Sequence, residues 1–200
     1  MGLFDKFSKD KNTQGLPDIL SIPYDYNGYD LIFEEGMTNP VVYSDITALV
    51  TNNNVDINEI EGYDELERDT SEEEFYDFFD NWIEALDQKG FIAELFPNVG
   101  ISTFVTDINQ VLGNIGSSQL LDVDETVNAY RAEVVKFSFK GKPVAADFAY
   151  DVLEANIVAS RLRKIGYELI AIFNGVDNDA KAVIPMDKIP LMQELESRIK

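Results

Sequence analysis

Apolar positions along this chain fall into stretches of two periods, and the clearest lies between residues 71 and 89. Phe75, Phe78, Phe79, Trp82, Ile83 and Leu86 recur at i, i+3, i+4, i+7, i+8 and i+11, which lines one face of an α-helix. Ser71 and Glu74 ahead of the stripe read as a capping box, and Gly90 reads as the C-terminal stop. A second helix is predicted over 102–115, where Ile101, Phe104, Val105, Ile108, Val111, Leu112 and Ile115 hold helical spacing, although its β-branched start also suits a strand. A third, over 151–165, presents Leu153, Ile157, Val158 and Leu162 and stops at Gly166. A last helix over 187–199 has its start marked by Asp187 and Pro190. Two shorter helices are predicted as well. Ser44 or Asp45 caps one carrying Ile46, Leu49 and Val50, and Asp124 caps one that runs to about Tyr130 or Ala132.

Between these helices the period drops to that of strands. Asp30–Glu34, Val41–Tyr43, Phe91–Phe96 and Val134–Phe139 read as strands, the last with 143–150 as its partner across Lys140-Gly141-Lys142. Tyr167–Phe173 is the most convincing strand, returning as Ala180–Ile184 through a turn rich in Asn and Asp; Asn27-Gly28 signals another turn. The predicted fold is therefore α+β, with antiparallel hairpins packed against amphipathic helices. Residues 1–15 read as a flexible N-terminal segment and 16–200 as one domain. The Gly113–Ser118 run is the best internal break, so two lobes with a seam near 113–124 are the alternative. Leu86 to Phe91 and Leu162 to Tyr167 share the plan Leu-x-x-x-Gly-aromatic, which reads as helix C-capping, with an internal duplication as the alternative.

Composition narrows the chemistry. An apolar content of 45% over 200 residues supports a sizeable core. The chain has neither Cys nor His, which removes disulfides, thiolate chemistry, the usual general base and the commonest metal ligand. An enzyme built here would have to use carboxylates, Lys, Tyr or a carboxylate-bound metal. No apolar run is long enough for a membrane span, the N-terminus lacks the apolar core of a secretory leader, and Lys6 breaks a myristoylation pattern at Gly2. A cytoplasmic location is the expectation. Leu3, Phe4 and Phe7 form at most one amphipathic turn.

Charge is the unusual feature. The net charge is −21, and it is segregated along the chain. Between Asp30 and Glu94 there are 19 acids against Arg68 and Lys89, whereas between Arg131 and Lys164 the balance is +3. The densest run, Asp56 to Glu74, holds 10 acids and one cation in 19 residues. A calcium loop fails on position: Ile60 and Glu61 stand where an oxygen ligand and Gly are required after Asp56, and Asp122-Val123-Asp124 lacks the Gly. Asp177-Asn178-Asp179 is explained by its turn. Gly141-Lys142-Pro143 is not a phosphate loop, and no Gly-x-Ser-x-Gly elbow is present. No cofactor or metal site is predicted.

Three functional readings follow. The leading one is a non-enzymatic acidic protein that binds a basic surface on a protein partner; a toxin-neutralising immunity or inhibitor protein is the concrete form that its size and charge suggest. Its contacts would be Asp56, Glu59, Glu61, Asp64, Glu65, Glu67, Glu72, Glu73 and Glu74, with Tyr63 and Tyr76 as anchors, since Tyr is enriched at interfaces. The alternatives are a DNA mimic, which needs a long acidic face, and a carboxylate or divalent-metal enzyme, which needs acids converging in a pocket. Direct binding of nucleic acid is not expected at this charge. A solvated acidic surface with no partner, and charge pairing between the two halves, compete with all three.

Overall fold

The computed structural model describes residues 29–33, 40–61, 63, 72–94, 100–136, 138–139, 142–143, 147–173 and 180–199. The expected flexible segment 1–15, the Asn27-Gly28 turn, the Ser71 end of the capping box and the 174–179 turn lie outside these residues. The described elements run β1 (Tyr29–Ile32), α1 (Pro40–Val50), a 3-10 turn (Ile57–Glu59), α2 (Glu72–Gln88), β2 (Ile92–Glu94), α3 (Ile101–Asn114) and α4 (Val123–Lys136). They continue as β3 (Ser138–Phe139), β4 (Lys142–Pro143), α5 (Asp147–Lys164), β5 (Tyr167–Phe173), β6 (Ala180–Pro185), a 3-10 turn (Met186–Lys188) and α6 (Ile189–Ile199). The fold is α+β.

The main sheet is mixed, in the order β1-β5-β6-β2. β5 and β6 are antiparallel from Tyr167↔Pro185 to Ile172↔Ala180, and β2 pairs antiparallel with β6. β1 runs parallel to β5, with Tyr29 opposite Ile170. A purely antiparallel arrangement therefore gives way to a sheet with one parallel edge. The two central strands are buried on both faces, which explains why their sequence is apolar apart from Glu168 and Lys181. Lys181 is the exception on β6, buried between Ala171 of β5 and Ala93 of β2, whose small side chains leave room for its stem.

Three sequence readings change. Val41–Tyr43 is not a strand: α1 starts at Pro40, four residues before the expected cap at Ser44 or Asp45. Proline suits the first helical position because its ring presets φ and its missing N–H is not needed there. Val42, Tyr43, Ile46, Thr47, Leu49 and Val50 then form one buried helical stripe, and that burial overrides the β-preference of the first residues. Second, α4 runs through Val134 and Val135 to Lys136, so Val134–Phe139 is not a strand. Val123, Val127 and Tyr130 pack against the core at helical spacing and carry the helix onward, leaving Val135 70% exposed. Among the described residues, Ser138–Phe139 and Lys142–Pro143 form a two-rung antiparallel pair, and the expected partner strand over 143–150 yields to α5 from Asp147. Third, the cap of α4 is Asp122 rather than Asp124, its Oδ1 accepting from the Glu125 amide at 2.8 Å.

The helices predicted from periodicity occupy their expected places. Of the α2 stripe, Phe78, Phe79, Trp82, Ile83 and Leu86 are all buried; α3 buries every apolar residue named for it. Around Trp82 the rings of Phe33, Tyr43 and Phe79 lie with centroids 5.1–5.6 Å away in tilted or edge-on geometry. The indole Nε1–H donates to Thr47 Oγ1 at 2.9 Å, so the one polar atom of this side chain is satisfied by α1. Glycines at φ +73 and +88 end α2 and α5 at Gly90 and Gly166, a conformation that costs residues with a Cβ. The two echoed segments thus deliver β2 and β5 to opposite sides of β6.

Candidate functional site

The aromatic face of α2 fixes what its other face shows to solvent. Asp77, Asp80, Asn81, Glu84, Asp87 and Gln88 are exposed, and the helix contains no Lys or Arg. Asp77, Asp80, Glu84 and Asp87 stand at i, i+3, i+7 and i+10, one acid per turn. At 1.5 Å per residue the row is about 15 Å long. Glu72, Glu73 and Glu74 lie in the first turn of the same helix, where negative charge complements the positive end of the dipole. Gln88 Nε2 donates to Glu84 Oε1 at 2.9 Å.

The loop between α1 and α2 brings more acids to the same end of the molecule. Asn52 and Asn53 take left-handed φ values of 53° and 63°, which turns the chain sharply after α1. Asp56 then caps the 3-10 turn, its Oδ1 accepting from the Asn58 backbone amide at 3.0 Å and from Asn58 Nδ2 at 2.7 Å. These two bonds, the backbone one first, hold the Asp56 carboxyl below the usual carboxylate range. Glu59 Oε2 meets Lys89 Nζ at 3.1 Å, tying this loop to the end of α2. Glu61 is exposed. Tyr63 is half-buried; its hydroxyl donates to the Pro40 carbonyl at 3.0 Å and its ring lies 6.4 Å from that of Phe78. Tyr76 is half-buried against the core. Asp64, Glu65 and Glu67 lie outside the described residues, as do the side chains of Glu72, Glu73 and Glu74.

Helix ends deepen the negative field here. Asn52 Nδ2, just past α1, donates to the Ile115 carbonyl at 3.1 Å, and Asn54 Nδ2 donates to the Asn114 carbonyl at 3.1 Å. Asn114 Nδ2, at the end of α3, donates to the carbonyls of Lys89 and Gly90 at 3.1 and 2.8 Å. The C-terminal ends of α1, α2 and α3 are therefore joined by neutral amides, and none carries a basic residue in its last turn. Each end bears a partial negative charge of about half an electron. Asp107 on α3 stands near enough to Asp87 to feel its charge: partial burial first, and then Asp87, push the Asp107 carboxyl up.

Of the residues singled out in the sequence, Asp56, Glu59 and Glu61 are exposed on the loop after α1, whereas Asp77, Asp80, Glu84, Asp87 and Asp107 were not singled out. The first four were visible as acids spaced three and four apart, out of phase with the aromatic stripe; Asp107 needed the fold. Two cations of the 131–164 stretch pair locally, with Arg161 bonded to Glu125 and Arg163 Nε 2.8 Å from the buried Glu168. Arg198 of α6 reaches Asp45 of α1 at 2.8 Å. Among the described residues no three carboxylates converge as metal ligands, and no helix is long and apolar enough to cross a membrane. No protein-family model, curated protein or solved structure matches the chain.

Proposed function

We propose that this chain is a non-enzymatic binding protein that covers a basic surface on a protein partner, in the manner of a toxin-neutralising immunity or inhibitor protein. One observation carries the reading: the exposed face of α2 bears an acid on every turn and no cation, while its opposite face is locked into the aromatic core. A rigid, single-sign row is suited to steering and orienting a partner of opposite sign, because its charges are held in place before the encounter. Glu59 is held beside the end of the row by Lys89, and Asp56 and Glu61 are exposed on the same loop. Asp64, Glu65, Glu67 and Glu72 to Glu74 belong to the same proposed surface by sequence, with Tyr63 and Tyr76 as the apolar contacts beside it.

The test is retention from a lysate of the native host at low and high salt, using the wild type and the D77K/D80K/E84K variant. A basic protein held by the wild type, released by salt and bound at least about tenfold more weakly by the variant supports the reading. If the captured protein binds a helical, wild-type-like variant equally well, the α2 face is not the interface. A second reading, mimicry of DNA, is favoured by the length of the row, since acids continue along the whole helix. Duplex DNA would then compete for the partner, and an inhibitor of another kind of basic surface would leave DNA without effect.

A further inference from the structure

We draw no further inference here: the strongest candidate, the Asp87 and Asp107 side-chain cluster between the last turn of α2 and the middle of α3, belongs to the acidic face already described and has no second feature that points to a ligand.

Discussion

Gly90 and Gly166 occupy the same place in two similar helix–strand junctions, and replacing each by alanine should give unequal losses of stability. Both have positive φ, +73° and +88°, so a Cβ costs about 1–2 kcal/mol at either site. The lower entropy of an alanine in the unfolded chain offsets part of this, by a similar amount in both variants. What differs is the surroundings. A Cβ on Gly166 meets nothing within 4 Å, whereas on Gly90 it would lie 2.4 Å from Gln110 Nε2 and 2.6 Å from Asn114 Nδ2. Gln110 is exposed and can swing aside. Asn114 cannot move without giving up its bonds to the Lys89 and Gly90 carbonyls, each worth about 1 kcal/mol at most in this partly exposed setting. G90A should therefore lose roughly 1–2 kcal/mol more than G166A. Urea unfolding of the two variants reads this difference directly, and adding N114A to both should remove most of it. Equal losses in G90A and G166A would show that Asn114 does not hold the end of α2.

Other substitutions probe the core and the acidic face. Tyr43 is fully buried and its hydroxyl has no hydrogen-bond partner among the described residues, and burial pushes its phenol up; Y43F should raise stability by about 1 kcal/mol, and a loss in thermal melts would contradict this account. The raised Asp107 carboxyl means that its charged form is disfavoured in the folded state. The favourable contribution is complete below the unfolded pKa and is lost as pH rises through the folded one. D107N should thus raise the melting temperature at pH 7 and have little effect near pH 3; the same shift at both values would remove Asp87 and burial as the cause. Neutralising the row with D77N/E84Q should stabilise the fold by about 0.5–1 kcal/mol while weakening partner binding, measured by urea unfolding and by retention. Loss of both would mean that these carboxylates make structural contacts.

Legibility in the sequence followed the reach of each interaction. α2, α3 and β5 could be read because their burial pattern is set within the segment, by Phe78 to Leu86, Ile101 to Ile115 and Tyr167 to Phe173. The start of α1 could not. Val41, Val42 and Tyr43 carry β-preference locally, and only the packing of Tyr43 against Phe33, Phe78 and Trp82 decides the matter. The end of α4 was misread for a similar reason, since Val134-Val135 resembles a strand until Val127 and Tyr130 are seen packed at helical spacing. The parallel pairing of β1 with β5 joins residues too far apart for any local signal. At the candidate site, acid density pointed to Asp56 through Glu74, of which Asp56, Glu59 and Glu61 are exposed. Asp77, Asp80, Glu84 and Asp87 are sparser in sequence and yet form an ordered row, because the helix returns each of them to the same side.

That row is held against its own repulsion. Acids three and four residues apart cost an exposed helix about 0.2–0.5 kcal/mol per neighbouring pair, so the three successive pairs from Asp77 to Asp87 oppose the helix by about 1 kcal/mol. Asp87 adds to this, because it stands in the last turn, at the negative end of the dipole. On the inward side, burial of Phe79, Trp82 and Leu86 contributes about 1.5–3 kcal/mol for each side chain, and the Trp82–Thr47 bond fixes the rotation of the helix about its axis. The core term is several times the larger. Helix formation at α2 is therefore decided by its aromatics, and its polar face is free to carry charges that a less firmly anchored helix could not tolerate. Salt or an opposing positive surface relieves only the smaller term, so a partner that binds here meets a helix already in place.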